Sequence, residues 1–318
     1  MTAPLRGPGF AKLRELADVV YDPWIEQSPL RIYSAEQLAD RIAAEGADVV
    51  VVESDSVAGP VFERGLRVIA STRGDPNNVD VAGATAAGVP VLNTPGRNAD
   101  AVAEMTVALL LAATRGLLPA DADVRSGNVF RDGTIPYQRF RSWEIAGRTA
   151  GLVGLGAVGR ATAWRLAGLG MRVIAHDPYN DDARHSLDEL LGEADVVSLH
   201  APVTDDTVGM IGAPQFAAMR DGAVFLNTDR AQLHDAGALV EALRGGKVAA
   251  AGLDHFVGEW LPTDHPLVGM PNVVLTPHIG GATWNTEARQ AQMVADDLQA
   301  LLAGDRPAHI VNPEVLAS

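Results

Sequence analysis

Three stretches of this chain carry side chains that could move a proton or clamp an anion. "FLNTDR" ends on Arg230, "GLDHFVGEW" sets Asp254 and Glu259 on either side of His255, and "NVVLTPH" ends on His278. An imidazole exchanges a proton near neutral pH, and a planar guanidinium fork matches a carboxylate together with a carbonyl oxygen. Each residue also has an ordinary reading, as a solvated loop acid, a surface arginine or a structural histidine. Their shared position favours chemistry. Each follows an apolar run that reads as a buried parallel strand, and the exit of such a strand is where open α/β sheets bind ligands.

The elements that must hold these residues follow a βαβ alternation. From Thr149 onward, "AGLVGLG", "MRVIAHD", "DVVSLHA", "GAVFLNT", "KVAAAGLD" and "NVVLTPH" read as six strands, with helical spacing between most of them. Upstream, "ADVVVVES", "LRVIAST" and "VPVLNT" read as strands and "NADAVAEMTVALLLAATRGL" as one long helix capped by Asn98 or Asp100. Residues 119–148 read as an irregular connector or oligomer arm. The first ten residues, with Pro4, Gly7, Pro8 and Gly9, do not read as a strand. A flavodoxin-like domain would open with one, so either a late start or a trimmed domain is expected.

"GLVGLGAVGR" places Gly154, Gly156 and Gly159 between a strand and a helix in the G-x-G-x-x-G spacing. The first glycine permits the turn, the second admits a pyrophosphate, and the third allows close helix–strand packing. Ala157 and Val158 would open the anion-binding helix end. Asp177, at the end of the next strand, is placed to accept from ribose hydroxyls and to repel a 2′-phosphate, which points to NAD rather than NADP.

At 318 residues the chain is long enough for two domains. A formal net charge of -15 argues against nucleic acid or an acidic membrane as partner. With no cysteine, thiolate metal sites and a Cys nucleophile are excluded, and no metal-ligand set is assigned. No apolar stretch is long enough to span a bilayer, and "MTAPLRGPGF" lacks the pattern of a signal peptide, so a cytoplasmic protein is expected.

The ordered motifs "VLNTPGRNADAVAEMTVALLL", "GLVGLGAVGR", "DVVSLHAPVTDDTVGMIG", "FLNTDR", "GLDHF", "PNVVLTPHIGGAT" and "VNPEVL" cover nearly the whole chain. Together they resemble the D-isomer-specific 2-hydroxyacid dehydrogenase family. The resemblance implies an α/β protein with a Rossmann dinucleotide-binding domain (101–283) and a discontinuous, flavodoxin-like substrate domain (1–100 and 284–318). It implies hydride transfer between NADH and a 2-keto acid, with His278 as general acid/base, Glu259 paired to it, and Arg230 on the substrate carboxylate and carbonyl. Asp254 would accept from the nicotinamide amide or serve as a strand-end cap. Thr106 would touch the dinucleotide. His200 is placed near the cofactor, with a structural histidine as its alternative. Residues 119–148 would suit the arm of a homodimer.

Departures bear on the substrate. Ala231, His255 and Trp260 stand where the family usually has Gly, an apolar residue and Pro. The loop that usually offers glycine amides to the substrate reads "STRGDPNN", so Arg73 and Gly74, with Arg97, are candidates for a second anionic group, solvated arginines being the alternative. His255, Trp260 and Trp284 are candidates for lining a pocket larger than pyruvate needs. Glu259 in place of Gln counts against formate oxidation. The rival readings are a NAD(H)-sensing, corepressor-like binding protein and the oxidation of a non-carbon anion such as phosphite.

Overall fold

The computed structural model describes residues 1–317. Contacts divide the chain into two units, Met1–Arg97 with Thr283–Ser318, and Asn98–Ala282. These boundaries shift the expected division by a few residues, for local reasons. Asn98 precedes the helix Ala99–Arg115, whose Leu109 and Leu110 are buried in the larger unit, so 98–100 belong there. Asn98 makes no side-chain cap. Thr283 accepts the Thr286 amide at 3.1 Å and caps Trp284–Ala303, so it belongs to the smaller unit.

The smaller unit holds a parallel sheet of β1 (Val49–Val52), β2 (Val68–Ser71) and β3 (Val91–Leu92), in that order. Successive side chains alternate between its two faces. Val50, Val52, Ile69 and Val91 pack with Leu38 and Ile42 of helix Ala35–Glu45. Val51, Val68, Ala70 and Leu92 pack with Leu13 and with Ala291, Val294 and Leu298 of Trp284–Ala303. That double covering is the flavodoxin-type layering, on three strands. The leading residues run beside β1, where the Thr2 and Ala3 amides both donate to the Val51 carbonyl. They then form the helix Gly7–Leu16, with Pro8 in its first turn, where a missing amide costs nothing. Gly9 is obligatory there, because a Cβ would sit 2.2 Å from the Gln292 backbone nitrogen.

The larger unit is a six-stranded parallel sheet of β4 (Thr149–Val153), β5 (Arg172–His176), β6 (Val196–Leu199), β7 (Ala223–Asn227), β8 (Val248–Leu253) and β9 (Val273–Leu275). Its order, β5-β4-β6-β7-β8-β9, reverses direction between β4 and β6, the switch point at which doubly wound sheets bind ligands. One face carries Ala99–Arg115 and Ala157–Gly168 over Ala150, Leu152, Val224 and Leu226. The other carries Leu190, Phe216 and Leu239 over Val153, Val197 and Phe225. Residues 119–148 are more regular than expected. The helix Leu117–Arg125 and the turn Pro136–Arg139 are clamped by Asp123, which pairs with Arg131 at 3.1 Å and Arg139 at 3.0 Å. No single helix among the described residues is long and apolar enough to cross a membrane.

Candidate active site

The glycine loop leaves β4 at the switch point. Gly154 has φ +98°, and a Cβ there would lie 2.1 Å from the His200 carbonyl oxygen. A Cβ on Gly159 would lie 2.3 Å from the Gly154 oxygen, so both positions exclude any side chain. Gly156 differs: nothing lies within 4 Å of its Cβ position, which leaves the approach to the helix N-terminus open. The helix beginning at Ala157 and Val158 has neither a side-chain cap nor an acidic residue in its first turn. Backbone N–H groups and the positive helix end therefore face an uncontested anion cradle. Asp177 braces this loop, its carboxylate accepting the Leu155 amide at 2.8 Å and the Tyr179 amide at 2.9 Å.

Two further expected cofactor residues lie buried in this unit. The Thr106 hydroxyl donates to the Val102 carbonyl and meets the Thr228 hydroxyl at 2.8 Å, tying the long helix to the β7 exit. His200 is held by Ser198, its Nε2 2.9 Å from the hydroxyl, and burial pushes its pKa down to about 4. Its buried Nδ1 has no partner among the described residues. An orphaned ring nitrogen beside a cradle that rejects side chains fits a polar ligand at this edge, and the donor set fits a dinucleotide. Ala157, Val158 and Gly159 would hold the pyrophosphate, and Asp177 the ribose.

Arg230, Glu259 and His278 follow β7, β8 and β9, three neighbouring strands. His278 Nδ1 lies 2.9 Å from Glu259 Oε2, and both side chains are exposed. Both residues adopt left-handed backbone, with φ +53° for His278 and +62° for Glu259. Such conformations cost on the order of 1–3 kcal/mol away from glycine and persist where the surroundings over-determine them. Asp254 supplies that constraint for His278. Fully buried, its carboxylate accepts from Thr276 Oγ1 (2.6 Å), Ile279 N (3.0 Å) and Gly280 N (2.7 Å), while its carbonyl accepts the His278 amide at 2.8 Å. A Cβ on Gly280 would come within 2.9 Å of that carboxylate. Asp254 is thus the strand-end clamp that aims the imidazole, with room for one further donor.

Arg230 is half exposed and turned toward Asp229, donating to its carbonyl at 3.2 Å and lying 3.7 Å from its carboxylate. The Asn227 amide fixes this turn by donating to the Arg230 carbonyl at 2.8 Å. Burial pushes Asp229 up to about 6, against the opposing pull of Arg230. His255 is nearly buried, its ring centroid 3.6 Å from that of His278. Burial pushes its pKa down to about 3, helped by His278 and Arg230, so it is neutral at pH 7. Sequence reasoning assigned His255 only a pocket-lining part. Its chain neighbour Asp254 was the available signal of a site.

The candidates in the smaller unit stand differently. Arg97 pairs with Glu53 at 2.5 Å and donates to Gln290, and it is largely buried rather than solvated. Arg73 donates to the Glu53 carbonyl and, at 2.8 Å, to Asn77. Gly74 accepts from the Asn93 amide at 2.6 Å. Trp284 stands exposed with Arg6 over its ring, and Trp260 is exposed in the larger unit.

Residues 107–280 match the NAD-binding domain of the D-isomer specific 2-hydroxyacid dehydrogenases. The chain is 36% identical to a glyoxylate reductase of Korarchaeum cryptofilum, over 97% of this chain and 93% of that one. Among solved structures it is similar to the TT0316 protein from Thermus thermophilus, at 37% identity and TM-score 0.83 over 98% of each chain. It is also similar to a D-isomer specific 2-hydroxyacid dehydrogenase from Lactobacillus delbrueckii ssp. bulgaricus in its NAD complexed form, at 30% identity and TM-score 0.77 over 96% of each. With the glycine cradle and the strand-end trio, these matches establish that the chain belongs to the D-isomer-specific 2-hydroxyacid dehydrogenase family of NAD-dependent oxidoreductases.

Proposed function

We propose that this enzyme reduces a small 2-keto acid to the D-2-hydroxy acid, with His278 as general acid/base and Arg230 as anchor of the substrate carboxylate and carbonyl. The observation that carries the reading is the 2.9 Å His278–Glu259 pair, set on exits adjoining that of Arg230. NADH, when bound, supplies a hydride for the carbonyl carbon. The chain supplies the rest. Glu259 fixes which imidazole nitrogen faces outward, and the carbonyl oxygen takes its proton from that nitrogen. The Arg230 fork orients carboxylate and carbonyl together and stabilises the developing alkoxide. In the reverse direction His278 accepts the proton.

In this reading Asp254, besides clamping the loop, offers its remaining acceptor site to the nicotinamide amide, and Thr106 and His200 complete the cofactor's surroundings. Arg73 and Gly74 line the anionic end of the substrate, whereas Arg97, neutralised by Glu53, holds that loop in shape. A small substrate is supported by the glyoxylate reductase similarity. The working form is a cytoplasmic homodimer. Exposed Leu117, Leu118, Val124, Phe130 and Tyr137 offer an apolar face suited to a second copy, and NADH consumption draws on the intracellular dinucleotide pool. The test is NADH oxidation by the purified enzyme across glyoxylate, pyruvate and longer or doubly charged 2-keto acids. Turnover with at least one of them is expected; none with any would defeat the reading.

A further inference from the structure

We propose that His255, Glu259 and His278 form a binding site for one divalent transition-metal ion of the zinc type, whose occupancy reversibly shuts down the acid/base centre. One ligand atom from each residue lies within 4.8 Å of the other two. The His278 Nδ1–Glu259 Oε2 separation is 2.9 Å, while ligands at about 2.0–2.1 Å from a tetrahedral zinc stand roughly 3.3 Å apart. An ion therefore fits where the hydrogen-bond proton now lies after a shift of a few tenths of an ångström. Two imidazoles and one carboxylate make the His₂Glu set of open zinc sites, with the fourth position left to water. Hard cations such as Mg²⁺ would prefer an all-oxygen set.

His255 is the residue that turns an acid/base pair into a chelate. It occupies a place where the family resemblance leads one to expect an apolar side chain. Its ring is nearly buried and stacks on that of His278, which fixes it beside the pair. An imidazole held in place in this way offers a lone pair to an ion at little cost in side-chain ordering. Among the described residues Arg230 is the nearby charge that opposes a cation, and in this structure it turns toward Asp229. Spacing in the sequence hid this set, because His255 and Glu259 follow one strand and His278 the next.

Metal binding requires nothing of the proposed reduction. The inhibition does rest on it, since an ion at Nδ1 displaces the proton there, breaks the pairing with Glu259 and leaves a neutral ring that can no longer serve as the acid. The experiment separates the two. Metal-free enzyme is titrated with Zn²⁺ by calorimetry and with Co²⁺ by visible absorption, alongside His255→Val and Glu259→Gln. NADH binding by fluorescence serves as the folding control. One Zn²⁺ per chain and a tetrahedral Co²⁺ spectrum are expected, with affinity falling by about 10–100-fold or more in each variant. Zn²⁺ should also abolish keto-acid reduction by the wild type, a chelator should restore it, and His255→Val should resist. Equal Zn²⁺ affinity in wild type and both variants would overturn the site. Metal binding without keto-acid reduction by the metal-free wild type would overturn only the proposed function.

Discussion

The two sheet edges of this molecule treat charge in opposite ways. At the larger unit's edge, after β7, β8 and β9, Arg230, Glu259 and His278 are 46–62% exposed, while the group that fixes the loop, Asp254, is buried. At the smaller unit's edge, after β2 and β3, the more deeply placed cation, Arg97, is spent inward. Arg97 is consumed by Glu53 and Gln290, while Arg73 is steadied by the neutral Glu53 carbonyl and Asn77 amide oxygen. A charge held out to solvent by a backbone clamp is available for chemistry. A charge neutralised by its own unit is available for shape. The difference is a physical criterion for separating reactive residues from positioning ones when both lie on strand exits.

The contrast can be attacked in order of expected effect. Replacing Arg230 by Gln removes the exposed fork without touching the clamp, and should lower kcat/KM for the keto acid by about 10²–10³-fold. Steady-state kinetics decide; a change below a few-fold would place Arg230 with the structural arginines. Replacing Asp254 by Ala strips the carboxylate from Thr276 and from the Ile279 and Gly280 amides. It should cost about 3 kcal/mol of stability and lower kcat as His278 loses its aim. Urea unfolding read with activity tests this, and an unchanged midpoint would show that the clamp is dispensable.

Asp229 sharpens the comparison through pH. Its pKa is raised to about 6 in the folded protein, so the folded state holds its proton more tightly than the unfolded chain. Stability is then lost progressively as pH rises from the unfolded value toward 6, and the loss persists above it. Asp229→Asn should therefore match wild type near pH 4 and exceed it by about 1–3 kcal/mol at pH 7. Unfolding midpoints measured across this range check the sign. The smallest effect is expected at the other edge, where Arg73→Ala should raise KM by about twofold to fivefold and leave kcat near its wild-type value. A collapse of kcat there would contradict the division drawn between the two edges.

The sequence made the reactive edge more legible than the rest of the molecule. Short apolar runs with glycine and helical punctuation mark all six strands of the larger sheet, and Arg230, Glu259 and His278 fall at their exits because strand ends are visible in sequence. The helix Gly7–Leu16 was hidden by the Gly7-Pro8-Gly9 run that forms its own first turn, and by packing against Trp284–Ala303 that depends on Gly9 rather than on any local pattern. The helix Ala35–Glu45, which the sequence analysis leaves unassigned, does carry local signals, the Ser34–Gln37 capping box and Gly46 in left-handed conformation. The order of residues 119–148 depends on Asp123 meeting two arginines from farther along the chain. The fate of Arg97 was invisible for the same reason. Glu53 and Gln290 reach it across the fold, and no spacing rule encodes such a meeting.

The most direct test of the central claim is single-turnover reduction by His278→Gln with NADH already bound. The account predicts that NADH binds as in the wild type while reduction slows by about 10²–10⁴-fold, the share a positioned general acid contributes. Reduction within a few-fold of the wild-type rate would mean that the proton comes from elsewhere, and that the His278–Glu259 pair is not the catalytic acid.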